Sequence, residues 1–402
     1  MLLLHNYYQQ PGGEDQVFAS EANLLEAHGH RVLRCVSHND RVAKMSRPAL
    51  AKSTIWNGRT YRELRALIRR ERPQVAHFHN TFPLLSPAAY YAARAEGVPV
   101  VQTLHNYRLL CPNALFFRDG GVCEDCLGRA VPWPGVAHAC YRGSRTSSGA
   151  VAAMLSTHRV AGTWSRAVDT YIALTEFANQ KFVQGGLPAE HTTVKPNFVD
   201  PDPGMGDGEG GYVLFVGRLS QEKGVDVLLA AWERLQGRVP LKVVGDGPSA
   251  SQVAKATKRL RGVEWLGRQP EELVRTLMKG ARALIFPSVW YEGFPMVIAE
   301  AYAVGLPVIA SDLGSMSSLI DHGRTGLLFS PGDSEGLTSQ VEWASSHPAE
   351  LRRMREGARA EFVAKYTAER NYQMLMKIYE TTIERVERER KNGVSAVTAG
   401  GL

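Results

Sequence analysis

The chain reads as an α/β protein of two αβα sandwiches, each with a parallel sheet, facing one another across a cleft. Three observations predict this. Short apolar runs alternate with helical patterns through the first 200 residues. The alternation restarts after a Gly-, Pro- and Asp-rich stretch at 200–211, which reads as an interdomain linker. The length of 402 residues exceeds what one ordinary core holds.

Taken in order, residues 2–5 form a short strand, and the turn Pro11-Gly-Gly-Glu-Asp opens a helix to about Ala27. Gly29 begins a turn into a strand through Val36, and residues 61–70 make a basic amphipathic helix. Residues 75–79 are a strand with His77 and His79 on one face. A helix at 88–96 is stopped by Gly97, and strands follow at 98–105, ending in His105, and at 171–175. Beyond the linker, strands at 212–216, 241–244, 263–266, 283–286 and 308–310 alternate with helical patterns, the last reaching about Lys365. The domains are then 1–200 and 201–366. Residues 367–390 make one more long helix, suited to crossing back over the first domain, and the small, polar tail 391–402 reads as disordered.

Charge is uneven. Residues 1–200 hold 22 Lys and Arg against 15 Asp and Glu, and so carry the whole net charge of +7. Either this is a solvated basic face, or the first half meets an anionic partner such as a lipid headgroup or acidic glycan. In the second case the helix at 61–70, with Arg62, Arg65, Arg69 and Arg70, is the expected contributor, and the protein associates peripherally with a membrane. No segment has the aromatic and basic spacing of a nucleic-acid motif, so no nucleic-acid partner is expected. No apolar run approaches the ~18 residues of a membrane span, and Met1-Leu-Leu-Leu is too short for a signal-peptide core. The expected location is cytoplasmic, with the inner face of the membrane as a variant.

The stretch Glu292-Gly-Phe-Pro-Met-Val-Ile-Ala-Glu300 is the most specific feature. A strand ending at Pro287 and a helix opening near Pro295 place Glu292 in a strand-to-helix loop and Glu300 about a turn into the helix. Amides at that helix start, around Phe294, Pro295, Met296 and Val297, can hold phosphate, while the carboxylates accept sugar hydroxyls. The plainer reading is two glutamates complementing a helix dipole. Arg218 and Lys223, five residues apart on a glycine-bounded loop, suit a diphosphate as planar fork and point charge. Gly13 lets backbone approach a phosphate closely. His105, at the carboxyl end of a central strand, stands where ligands bind in α/β proteins; a structural histidine is the alternative. Leu266, with Gly267 and Arg268, is the expected wall for a nucleotide base.

With these motifs in order, the chain resembles a glycosyltransferase of family 4, over roughly residues 2–385. The motifs are Gly12-Gly13, His105, Gly217-Arg-Leu-Ser-Gln-Glu-Lys-Gly224, Val244-Gly-Asp-Gly-Pro248 and the glutamate pair. The resemblance implies the GT-B architecture, two Rossmann-like domains around a central cleft. It implies a retaining transfer of sugar from a UDP- or GDP-sugar to a carbohydrate, lipid-linked or small-molecule acceptor held by the first domain, with no catalytic metal. It assigns Glu300 to ribose, Glu292 to the donor sugar, His105 to the sugar near its anomeric centre, and Arg218 with Lys223 to the diphosphate. One departure is Phe198 in Lys195-Pro-Asn-Phe-Val-Asp200, where many members carry glycine; it is expected near the interdomain hinge.

Cys111, Cys123, Cys126 and Cys140 cluster in a loop-like insert at 111–145. Structural zinc, free thiols or a disulfide, and an iron–sulfur cluster all fit such spacing, with His138 as a substitute ligand. Two rivals to sugar transfer stand beside it. A nucleotide-sugar epimerase of the same architecture would need acid–base carboxylates in the first domain, where Glu14 and Asp15 read as helix-start residues. A zinc-dependent binding protein would carry a decayed enzyme site.

Overall fold

The computed structural model describes residues 1–9 and 12–399. Its first sheet consists of β1 (Leu2–Tyr7), β2 (Leu33–His38), β3 (Ala76–Phe78), β4 (Val100–Leu104), and, after a small hairpin of β5 (Phe117–Arg118) and β6 (Gly121–Val122), β7 (Thr170–Ala173) and β8 (Thr192–Val194). Their order is β2-β1-β3-β4-β7-β8, all parallel. The second sheet holds β9 (Val213–Val216), β10 (Leu241–Val244), β11 (Val263–Gly267), β12 (Leu284–Phe286), β13 (Val308–Ser311) and β14 (Gly326–Phe329), ordered β11-β10-β9-β12-β13-β14. This is the doubly wound order, with the direction of winding reversing between β9 and β12. The central strands are mostly buried, as Leu2-Leu-Leu and Leu284-Ile-Phe are, because helices cover both faces.

The short strands β8 and β14 were not legible as strands. Both are edge strands of three or four residues, too short to show a period. The helices Arg47–Ile55 and Arg145–Val160 likewise lie where no helix was assigned. The insert is mostly irregular, as expected, with its hairpin and the short helix Trp133–Ala137.

The stretch 200–211 is not a loose tether. It is laid along the second domain by backbone bonds from Gly206 to Val304, Gly208 to Lys279 and Gly210 to Gly280, and by an Arg359–Asp202 pair at 2.6 Å. The last helix, Ala368–Ala399, returns to the first domain: Tyr379 Oη meets His77 Nδ1 at 2.7 Å and Thr382 meets Thr170 at 2.8 Å. It continues beyond the expected end at 390, so the tail expected to be disordered is helical as far as Ala399; residues 400–402 lie outside the described residues. Nothing in 391–399 stops a helix: there is no proline, and Gly393 costs only about 1 kcal/mol. Among the described residues no helix is long and apolar enough to cross a membrane.

Charge pairing reduces the free charge on the expected basic helix. On the helix Gly58–Glu71, Arg65 and Arg69 both bind Glu96, Arg59 binds Glu63 and Arg70 binds Glu71. Four of its five arginines are thus paired, two of them with a glutamate of another element, while Arg62 has no ion pair among the described residues.

Candidate active site

The loops at the carboxyl ends of β9 and β12 meet at the point where the sheet order reverses. Gly224, at φ +72°, makes this approach possible, since a Cβ there would lie 1.9 Å from the carbonyl oxygen of Pro287. The contact brings Lys223 to Glu292. The buried Oε1 of Glu292 accepts from Lys223 Nζ at 2.7 Å, Ser288 Oγ at 2.5 Å and Trp290 Nε1 at 2.8 Å. Ser288 and Trp290 were not foreseen; their closeness to Glu292 in sequence was the available signal. Arg218 stands apart, exposed and without an ion-pair partner among the described residues. The loop that carries it is fixed on the next strand by bonds from Gly217 N to Val244 O and Leu219 N to Asp246 O.

Beyond Phe294 and Pro295, the helix Met296–Ala303 begins with no side-chain cap, so its first-turn amides are open to a ligand. Pro295 takes the cap position just outside the helix. Met296 and Val297 open the first turn, and the buried Phe294 packs against Tyr366. Glu300 lies one turn in, half-buried, in a cavity that also touches Gln16 and Ser20 of the first domain, Phe198 and Arg275. Burial, and then Glu271 nearby, push its carboxyl up to about 7 against the pull of Arg275. Phe198 thus forms part of the wall opposite Glu300, as its hinge position suggested. Leu266 is the last but one residue of β11, partly buried; its carbonyl accepts from the Gln269 amide, and it does not line the Glu300 cavity.

The Glu292 loop is also latched to the first domain. Tyr107 Oη donates to the Glu292 carbonyl at 3.3 Å, and Ser315 Oγ donates to it at 2.7 Å while meeting Thr175 Oγ1 at 2.9 Å. A Cβ on Gly293 would lie 2.8 Å from the His105 carbonyl. The loop that carries Glu292 is therefore packed against the backbone of His105.

Behind His105 runs a buried polar chain. His105 Nε2 lies 3.0 Å from His79 Nδ1, and His79 Nε2 lies 3.2 Å from Glu21 Oε2 without the alignment of a hydrogen bond. Lys195 Nζ meets Glu21 Oε1 at 2.5 Å, both side chains fully buried. Burial alone would raise the Glu21 carboxyl; Lys195 and the histidines outweigh it and hold it well below the usual carboxylate range. Burial, then His79, holds His105 well below its ordinary value, so the ring is neutral. Among the described residues no hydrogen bond engages His105 Nδ1. Among the described residues, Glu21, His77 and His79 are the one group with metal-compatible spacing. Lys195 already neutralises that glutamate, and both His77 nitrogens are engaged, by Tyr379 and Thr103.

Gly13 begins the first helix with open space where a Cβ would stand. The residue after it is the main surprise. Glu14 accepts from Asn80 Nδ2 at 2.9 Å and Asn106 Nδ2 at 3.0 Å, and burial pushes its carboxyl up to about 7 despite these bonds. A titratable carboxyl beside the His105–Asn106 edge is more than a helix-start residue.

The four cysteines, two of them on one segment after β6, line one small cavity with Arg118, and none is disulfide-bonded. Burial raises the thiol of Cys126 to about 11, and that of Cys140 is also raised. No three of their sulfurs lie within 4.8 Å of one another. Residue types and shared cavity fit a tetrahedral metal; the sulfur spacing is wider than one.

Two family models match successive parts of the chain: Glycosyltransferase Family 4 over residues 11–203, and Glycosyl transferases group 1 over residues 210–347. D-rhamnosyltransferase WbpZ of Pseudomonas aeruginosa is 33% identical over 162 residues, 39% of this chain and 42% of that protein. Glycogen synthase of Mycobacterium tuberculosis is 29% identical over 303 residues, 72% of this chain and 64% of that protein. The chain thus spans under two thirds of the length of these relatives. In fold it is similar to Anabaena Alr3699/HepE, solved in complex with UDP (TM-score 0.67, 19% identity, 94% of this chain and 99% of that one). It is also similar to sucrose-phosphate synthase from Thermosynechococcus elongatus (TM-score 0.69, 16% identity, 96% and 100%). With the two sheets, the cleft and the motif loops in place, the chain belongs to the family 4 glycosyltransferases of GT-B architecture.

Proposed function

We propose that the protein is a retaining, hexosyltransferase-type enzyme that moves a sugar from a nucleoside diphosphate, UDP or GDP, to a carbohydrate, lipid-linked or small-molecule acceptor. The observation that carries this reading is the bond between Lys223 and Glu292, on a loop packed against the backbone of His105 in the first domain, beside an uncapped helix start and Glu300. The UDP and UDP-glucose complexes of the similar Anabaena protein support a nucleotide-sugar donor.

In this reading residues 201–366 hold the donor and residues 1–200 the acceptor. Glu300 accepts from the ribose hydroxyls. Arg218, Lys223 and the amides at Met296 and Val297 neutralise the departing diphosphate, which supplies positive charge without a divalent metal. The second oxygen of Glu292 meets a donor-sugar hydroxyl while the first is held by Lys223, Ser288 and Trp290. His105, neutral and with Nε2 engaged by His79, offers the Nδ1 lone pair to a sugar hydroxyl. The acceptor oxygen attacks from the face the diphosphate leaves, and its proton passes to that phosphate. The latched Glu292 loop excludes water from the reacting centre.

Structural zinc at Cys111, Cys123, Cys126 and Cys140 is part of the proposal, supported by their common cavity. A cytoplasmic setting at the inner face of a membrane suits such a donor. Glu14 favours a second reading, the nucleotide-sugar epimerase, because its carboxyl near 7 can exchange protons. Incubation of the protein with UDP- and GDP-sugars, with and without glycan acceptors, tests both. Transfer that requires an acceptor supports the first reading; a changed sugar configuration from donor alone supports the second and overturns the first.

A further inference from the structure

The unneutralised charge of the first domain is concentrated around one groove. It has a volume of about 780 Å³ and runs between the helices Arg47–Ile55 and Arg145–Val160. Val42, Met45, Leu50, Ala51 and Val151 make an apolar floor. Arg47, Arg108 and Arg142 stand along it, with the hydroxyls of Ser144, Thr146 and Ser147 at the start of the longer helix. Arg41, Lys44, Lys52 and Arg145 flank it on the same elements. None of these seven cations forms an ion pair with a carboxylate among the described residues, whereas four of the five arginines of the neighbouring helix Gly58–Glu71 do. Arg108 is fixed by stacking on Phe82 and Tyr141, at 4.6 and 5.0 Å from their ring centres. Tyr8 closes the inner end, where Asn106 Nδ2 lies 3.5 Å from its hydroxyl and donates to Glu14 at 3.0 Å. The groove therefore opens from the edge of the cleft that carries His105.

A neutral, soluble sugar has no use for an apolar floor, and a hydrocarbon alone has none for unpaired arginines. We infer that this groove binds the acceptor, and that the acceptor is a sugar joined through phosphate to a hydrocarbon chain. The inference rests on the sugar-transfer reading for its word acceptor, while amphiphile binding stands by itself. The chain lies on the floor, the phosphate meets the arginines, and the sugar reaches past Tyr8 toward Glu14 and His105. Charge-assisted bonds from arginine to phosphate give the polar half of the affinity and apolar burial the other half.

The test uses the full chain and octyl phosphate below its micelle concentration, with octanol and inorganic phosphate as controls, by calorimetry. Octyl phosphate is expected to bind about ten-fold or more tightly than either control. Arg47→Glu with Arg142→Glu, and separately Ala51→Glu on the floor, should each lose about ten-fold or more of that affinity with an unchanged melting temperature. UDP and GDP affinity, measured on the same samples, should not move. Equal binding of the three probes, or variants that bind octyl phosphate like the wild type, would overturn the proposal. Binding to anionic phospholipid vesicles without binding monomeric octyl phosphate would overturn it too, making the surface a headgroup contact. Octyl phosphate binding without any nucleotide binding would retain the groove and remove the transferase reading.

Discussion

Lys223 Nζ lies 2.7 Å from Glu292 Oε1, so the cation assigned to the diphosphate is tied to the carboxylate assigned to the sugar. Arg218 carries no such tie. The two cations should respond differently to removal. Arg218→Ala should weaken nucleoside diphosphate binding by about 1.5–3 kcal/mol, the scale of a charge-assisted hydrogen bond, and leave the melting temperature alone. Lys223→Ala should weaken binding similarly and also lower the melting temperature, because it strips a buried carboxylate of its cation. Calorimetry and thermal unfolding of both variants check this, and equal melting behaviour would contradict the difference.

Glu300 gives nucleotide binding a pH dependence. Its carboxyl sits near 7, and ribose hydroxyls donate best to the ionised form. Nucleoside diphosphate affinity should therefore tighten as pH rises from 6 to 8, by up to about ten-fold if only the carboxylate binds. Glu300→Gln should flatten that profile. A wild-type profile already flat between those values would remove Glu300 from the ribose site.

Glu14 makes a stability prediction. Its folded value is raised above the unfolded one, so the folded state holds the extra proton between roughly pH 4.5 and 7. Stability contributed by this group is accordingly lost as pH rises through that window. Glu14→Gln should resist this loss, gaining about 1–2 kcal/mol on the wild type between pH 5 and 8, after allowance for partial exposure. Urea unfolding at the two pH values measures it. If Glu14 also meets the reacting groups, the variant's turnover should lose a titration step near pH 7.

The cysteines predict a metal content. Four thiolates complete one tetrahedral site, so protein purified without chelators should carry about one zinc per chain. Cys123→Ser should release it and destabilise the first domain, with nucleotide binding retained in the second. Elemental analysis free of zinc and iron would leave free thiols as the state of the cluster.

The sequence carried the second domain's site well, because its loops are punctuated by glycine and proline and its charged residues lie within a few positions of strand ends. Arg218, Lys223, Glu292 and Glu300 all stand where those loops put them. The first domain was less readable. Glu14 looks like any carboxylate at a helix start; its raised value comes from burial, against the pull of Tyr8 and Asn106, and its bonds from Asn80 and Asn106 cross 66 and 92 residues. The Glu21–Lys195 pair spans 174 residues and has no local pattern at all. The pairing of Arg65 and Arg69 on the basic helix had no local signal for the same reason, since Glu96, their shared partner, belongs to another element.

The chain passes between its domains twice, and the two passages touch. Val199 N donates to the Tyr366 carbonyl at 3.0 Å, Val199 bridges Thr367 in parallel, and Asn371 Nδ2 donates to the Pro196 carbonyl at 2.9 Å. A single crossing would leave the domains free to swing in any direction. Two crossings clamped side by side resist twisting and sliding and leave one axis for opening. Tyr379, three turns down the second passage, holds His77 against the histidine chain, so an opening motion that tugs this helix also tugs the residues behind His105. In the proposed transfer reaction, release of product and the setting of His105 would then be parts of one mechanical linkage.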